Sequence, residues 1–150
     1  MEYKEFDFEG EETLKHMSHA NRLNHWMYSQ IKPYVKGKIL EIGSGIGNIS
    51  QYFIEDNTDI ELSDIRDQYT DFLKSKFPKN KIHKLDLVHP NFDTEYAHLH
   101  GQFSLVFALN VVEHIEDDKL ALENIQKLLK PQGITYILVP AYNFLYNNFV

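Results

Sequence analysis

The sequence predicts an α/β fold with a doubly wound, mostly parallel sheet. Short apolar runs of strand character alternate with stretches of helical period, which is the pattern of a parallel sheet covered on both faces. A glycine-rich turn directly follows the first run, and acidic residues stand at the ends of the next two. At 150 residues the chain suits one domain, with 1–20 as an N-terminal helical extension, 21–140 as the core and 141–150 as an apolar tail.

The first core element is a helix from Asn21 to Tyr34, where Leu23, Trp26, Met27, Ile31 and Tyr34 recur three or four apart and mark one face. Pro33 and Gly37 stop it. Trp26, Met27 and Tyr28 have the spacing of a core-facing helix, which is preferred over a lid closing on a ligand. Lys38–Ile42 is a short run suited to a buried parallel strand. The glycines after it open a helix with Ile46, Ile49 and Phe53 inward. Asp59–Ser63 is the second strand, followed by a helix carrying Tyr69, Phe72, Leu73 and Phe77 and closed by Pro78.

Lys81–Leu85 is the third strand, and a polar stretch rich in histidine and acid follows as a surface loop. Phe103–Leu109 gives the strongest strand pattern in the chain. Glu116, Asp117 and Asp118 place negative charge at a helix start, and Ala121, Ile125 and Leu128, with Leu122 and Leu129, form its buried stripe. Lys130-Pro131-Gln132-Gly133 ends that helix before a fifth strand, Ile134–Val139. Ligands of such sheets bind beyond the carboxyl ends of the strands, where strand order reverses.

Composition narrows the function. Fifteen basic against 22 acidic residues give a charge of −7, which leaves no surplus for counterion release from nucleic acid. Without cysteine there is no disulfide, thiolate metal site or cysteine nucleophile. No apolar run is long enough for a membrane span, and the acidic start lacks a signal-peptide pattern, so a cytoplasmic location is expected. His83, His89, His98 and His100 lack metal-ligand spacing and are read as polar surface residues, with no metal expected.

The segment Gly43-Ser44-Gly45-Ile46-Gly47 lies between a strand and a helix, the context that a nucleotide-type site requires. Glycine permits positive φ and close backbone approach to a ligand. A turn that only shortens a strand-to-helix connection is the alternative. Glu41 precedes the glycines, Asp64 ends the second strand and Asp86 ends the third. Each acid alone also fits a solvated strand end or a helix cap. Their placement at successive strand ends favours a ligand, with Asp64 positioned for ribose hydroxyls and Asp86 for an adenine amino group.

With these motifs the chain resembles a class I S-adenosylmethionine-dependent methyltransferase of Rossmann-like fold, over about Asn21 to Pro140. The pattern acid-x-Gly-x-Gly-x-Gly is matched by Glu41, Gly43, Gly45 and Gly47. A dinucleotide motif would place its last glycine where Asn48 stands, which disfavours a nucleotide-dependent oxidoreductase. The resemblance implies S-adenosylmethionine as cofactor and S-adenosylhomocysteine as product. It implies that Glu41 orients the donor's amino acid end, that Gly43, Ser44, Gly45 and Gly47 pack beside it, that Asp64 and Ile65 hold the ribose, and that Asp86 and Leu87 flank the adenine. Asn110-Val111-Val112-Glu113-His114 resembles the family's fourth-strand motif, in which Asn110 lines the floor near the methyl group.

Glu113 and His114 are the candidates for a general base, if the acceptor needs one. For His114 a structural hydrogen bond that fixes the loop is the alternative. The expected acceptor is a small molecule. The family sheet has two further strands beside the fifth, so a truncated sheet edge is expected here. The tail Tyr142–Val150 would cover that edge or make a homodimer or partner-chain contact. A noncatalytic S-adenosylmethionine-binding partner subunit is the alternative function.

Overall fold

The computed structural model describes residues 21–141. The expected N-terminal helical extension and the tail contact fall outside these residues. Among them runs a five-stranded, all-parallel sheet in the order β3-β2-β1-β4-β5. The strands are β1 (Ile39–Ile42), β2 (Ile60–Asp64), β3 (Ile82–Lys84), β4 (Phe103–Leu109) and β5 (Leu129–Leu138). Helices α1 (Asn21–Ile31), α2 (Ser50–Glu55), α3 (Asp67–Lys76), α4 (Phe92–Glu95) and α5 (Asp118–Leu128) connect and cover them.

Strand alternation divides the core between the two faces of the sheet. Ile39, Leu62, Leu105 and Phe107 join Met27, Tyr28, Ile31, Ile49, Phe53 and Leu73 on one face. Leu40, Ile42, Val106 and Ala108 join Phe92, Tyr96, Leu99, Ala121, Ile125 and Leu128 on the other. Chain order runs outward from β1 to β3, then crosses back to β4, so the switch point lies between β1 and β4.

Several elements depart from expectation. In α1 the buried residues are Asn24, Met27, Tyr28 and Ile31, whereas Trp26 is 48% exposed. Tyr28 is buried because its ring stacks on Tyr52 and meets Phe53 edge-on, which turns Leu23 and Trp26 to the outer face. The glycines do not open a helix directly, because a run of turns at 45–49 precedes α2. Phe72 and Leu122, expected inward, are 46% and 43% exposed. Thr70 and Asn124 occupy the buried positions instead.

The histidine-rich stretch is partly helical, and its Phe92, Tyr96 and Leu99 pack into the core. The turn expected at Lys130–Gly133 is a wide bulge inside β5. Phe103 faces Leu129 and Leu105 faces Ile134, so four residues stand opposite Ser104 alone, with Gln132 at φ +66°.

Candidate functional site

β1 carries Glu41 to the switch point. Its neighbours in register are Leu62 on β2 and Phe107 on β4, and neither has any exposed surface. The carboxyl group therefore lies in an apolar slot at the end of the strand, where Ser50 Oγ donates a hydrogen bond to Oε2. Burial raises the Glu41 pKa from 4.5 to about 7, against the lowering effect of the Ser50 and Ser44 hydroxyls. The carboxylate of Asp64 pushes it further in the same upward direction.

The glycine turn is fastened to β2. Ser44 N–H donates to the Ser63 carbonyl at 2.8 Å, extending the β1–β2 ladder by one residue. Ser63 N–H in turn donates to Ser44 Oγ at 3.3 Å, and Ser63 Oγ donates to the Glu41 carbonyl at 2.8 Å. Beyond this point the side chain of Asp64 takes over. Its Oδ2 accepts Gly45 N–H at 3.0 Å and its Oδ1 accepts Arg66 N–H at 3.0 Å. Burial raises the pKa of Asp64, while these backbone donors act to lower it.

Two of the glycines also meet packing demands. At Gly43, φ is +67° and a Cβ would lie 2.5 Å from Val111 Cγ2, so the turn presses against the loop after β4. At Gly47, φ is +77° and a Cβ would lie 2.5 Å from the ring of Phe77.

Across the switch point, Asn110 directly follows β4 with φ +54°, an uncommon conformation for a residue with a side chain. Its N–H donates to the Leu138 carbonyl at 2.8 Å. A 3₁₀ turn, Val112–His114, follows. Both carboxylate oxygens of Glu113 are buried there without a hydrogen-bond partner among the described residues, whereas His114 is exposed. An orphaned carboxylate in the loop after β4 is a costly feature in a core and a useful one in a binding site.

Glu41, Ser44, Gly45 and Asp64 are thus joined through hydrogen bonds, with Gly43 linking them to the β4 loop. Ile65, next to Asp64, is half-buried. Asp86 belongs to a separate local network, two residues past the end of β3. Its Oδ1 accepts Val88 N–H at 2.9 Å, and its N–H donates to Tyr96 Oη at 3.1 Å. The Leu87 side chain is buried, and its carbonyl accepts from Asn124 Nδ2 at 2.8 Å. Ser50 and Ser63, both without exposed surface, were not singled out from sequence. A serine at an inward helical position close to a buried acid is the signal that could have marked Ser50.

Two of the histidines named from sequence, His83 and His100, have pairing and packing partners. His83 Nε2 lies 2.7 Å from Glu61 Oε2, and the His100 ring stacks on Phe92.

Residues 40–135 match the family model described as a methyltransferase domain. The chain belongs to that family. The domain is also similar to Probable polyketide synthase 42 of Dictyostelium discoideum, with 27% identity over 157 residues. That match covers 89% of this chain and 6% of the synthase, so the chain spans a small part of that relative's length. Among solved structures, the CurJ carbon methyltransferase has 25% identity and a TM-score of 0.58, covering 70% of this chain and 29% of that one. The trans-methyltransferase CalH, in complex with SAH, has 21% identity and a TM-score of 0.60, covering 83% of this chain and 37% of that one. The methyltransferase domain therefore has the Rossmann-like fold expected from its sequence.

Proposed function

We propose that this methyltransferase domain binds S-adenosylmethionine between the carboxyl ends of β1 and β4 and directs its methyl group to a small-molecule acceptor. The observation that carries the reading is the junction of a positive-φ glycine turn with two buried carboxylates, Glu41 and Asp64, at the switch point. The donor set suits the cofactor. Ionised carboxylates only accept hydrogen bonds, whereas the cofactor's methionine end offers an ammonium and its ribose offers hydroxyl donors. A buried acid such as Glu41, whose ionisation is opposed mainly by desolvation, gains most from an arriving cation.

In this reading Glu41 holds the amino acid end, with Gly43, Ser44, Gly45 and Gly47 forming the surface beside it. Asp64 and Ile65 hold the ribose, Asp86 and Leu87 flank the adenine, and Asn110 forms the floor beside β4. When bound, the sulfonium supplies an activated methyl and its own leaving group. The protein then contributes alignment of the acceptor, a large share of the rate in such displacements. Glu113 and His114 stand at the end of β4 as the groups to take a proton from the acceptor as its new bond to carbon forms. The unpartnered carboxylate oxygens of Glu113 support that role. The polyketide synthase and carbon methyltransferase relatives support a small organic acceptor.

Calorimetric titration tests the reading. The expected result is that S-adenosylhomocysteine binds and NAD(H) does not; a folded protein that ignores S-adenosylhomocysteine overturns the proposal. Release of S-adenosylhomocysteine with a panel of small acceptors separates the enzyme from a noncatalytic binding module.

The same reading takes 21–140 as the core of one domain, excludes nucleic acid as a partner on charge, and places the protein in the cytoplasm. Among the described residues no helix is long and apolar enough to cross a membrane. β5 is one of the two outer strands of the sheet among them, with its Ile134 36% exposed and Val139 just after it 43% exposed, and is assigned to contact with a second copy or a partner chain. Light scattering with and without substitutions in β5 tests that assignment.

A further inference from the structure

We infer that Ser50, acting through the carboxyl group of Glu41, is a positioning residue of the donor site. The inference rests on the donor-site reading above. Ser50 is the first residue of α2 and has no exposed surface, an unusual place for a hydroxyl unless it has a partner. Its partner is Oε2 of Glu41, nine residues away in sequence on β1. The bond spans the whole glycine turn, so strand end and helix start are joined beneath the loop that connects them.

The three serines around Glu41 divide the work. Ser63 Oγ binds the Glu41 carbonyl at 2.8 Å and so holds the strand end. Ser44 lies inside the turn and is tied to Ser63 through main chain and side chain. Ser44 also acts on the Glu41 carboxyl group, but less than Ser50, whose Oγ donates to Oε2 and limits the torsional freedom of the acid. A hydroxyl can donate to a carboxylate in its ionised form and accept from it in its protonated form, so the contact persists as Glu41 changes charge. Donation favours the ionised form, the form that pairs with an ammonium. Asp64 is the charged group acting on Glu41, and it acts in the opposite direction.

The test is a double-mutant cycle. S-adenosylhomocysteine affinity is measured by calorimetry, from below to above neutral pH, for wild type, Ser50→Ala, Glu41→Gln and the double variant, with thermal melts to confirm folding. Ser50→Ala is expected to weaken binding about tenfold in the wild-type background. It is also expected to move the inflection in the affinity profile to higher pH. In the Glu41→Gln background the same change is expected to alter affinity by less than about twofold. Equal losses in both backgrounds, or an unchanged inflection, would overturn the positioning role. If Ser50→Ala fails to fold, Ser50→Cys replaces it, and its weaker donor should give an intermediate loss. Wild-type affinity in Glu41→Gln, or no binding by wild type, would instead remove the donor-site reading beneath the inference.

Discussion

Asp64 closes the glycine turn by accepting the N–H of Gly45 at 3.0 Å, joining residues 19 apart in sequence. The bond replaces a rung that the β1–β2 ladder loses when the chain leaves the strand. A charge-assisted bond of this kind contributes about 1.5–3 kcal/mol, so Asp64 has a structural duty as well as its proposed contact with ribose. Asp64→Ala should weaken S-adenosylhomocysteine binding by roughly 1–3 kcal/mol and also lower the melting temperature. Asp64→Asn keeps an acceptor oxygen for Gly45, so it should lose affinity while keeping more of the stability. Unchanged affinity in a folded Asp64→Ala protein would reject the ribose role.

Gly47 and Gly101 form a matched pair. Both have positive φ, +77° and +65°, but a Cβ at Gly47 meets the Phe77 ring at 2.5 Å while one at Gly101 meets nothing within 4 Å. Gly101→Ala should therefore cost only the backbone penalty, about 1–2 kcal/mol. Gly47→Ala should cost about 1–3 kcal/mol more from overpacking. Urea denaturation compares the two, and equal losses would show that the Phe77 contact is easily relieved.

Glu41 makes stability depend on pH. Its pKa rises from 4.5 to about 7 on folding, so the folded chain retains a proton that the unfolded chain releases across that window. This contribution is fully present below pH 4.5 and is lost as pH rises through about 7, a change on the order of 3 kcal/mol. Asp64, also raised by burial, adds a slope of the same sign. The stability of wild type minus that of Glu41→Gln should fall as pH rises across this window in urea titrations. A constant difference would contradict the burial argument.

Glu113 should show function and stability in opposition. Both of its oxygens are buried without a partner, so replacing the carboxylate with a neutral isostere should not destabilise the fold. Glu113→Gln is expected to match or exceed wild type in thermal stability while methyl transfer falls roughly 10²–10⁴-fold if Glu113 is the base. A large stability loss with normal turnover would instead make it a structural residue.

Much of this was legible in the sequence because a parallel sheet writes itself plainly. The strand Phe103–Leu109 has its expected bounds, since a run that is apolar at every position but Ser104 and largely buried on both faces leaves little freedom at its ends. The glycine turn, Glu41 and Asp64 were legible because positive φ and strand-end acids are local requirements. What stayed hidden depends on tertiary partners. Trp26 and Tyr28 are both aromatic and periodic, and only the Tyr52 and Phe53 rings decide which one turns inward. Ser50 looks like an ordinary polar residue until the fold brings it to Glu41. The helical turns after β3 were masked by exposed Asp93, Glu95 and His98 around the buried Phe92, Tyr96 and Leu99.

A crystal of the domain grown with S-adenosylhomocysteine examines the assignment in the most direct way. The account predicts the amino acid end of the ligand within hydrogen-bonding reach of Glu41 or a water it holds, and the ribose hydroxyls on Asp64. A ligand bound away from the β1–β4 crevice, or one in that crevice touching neither carboxylate, would contradict it.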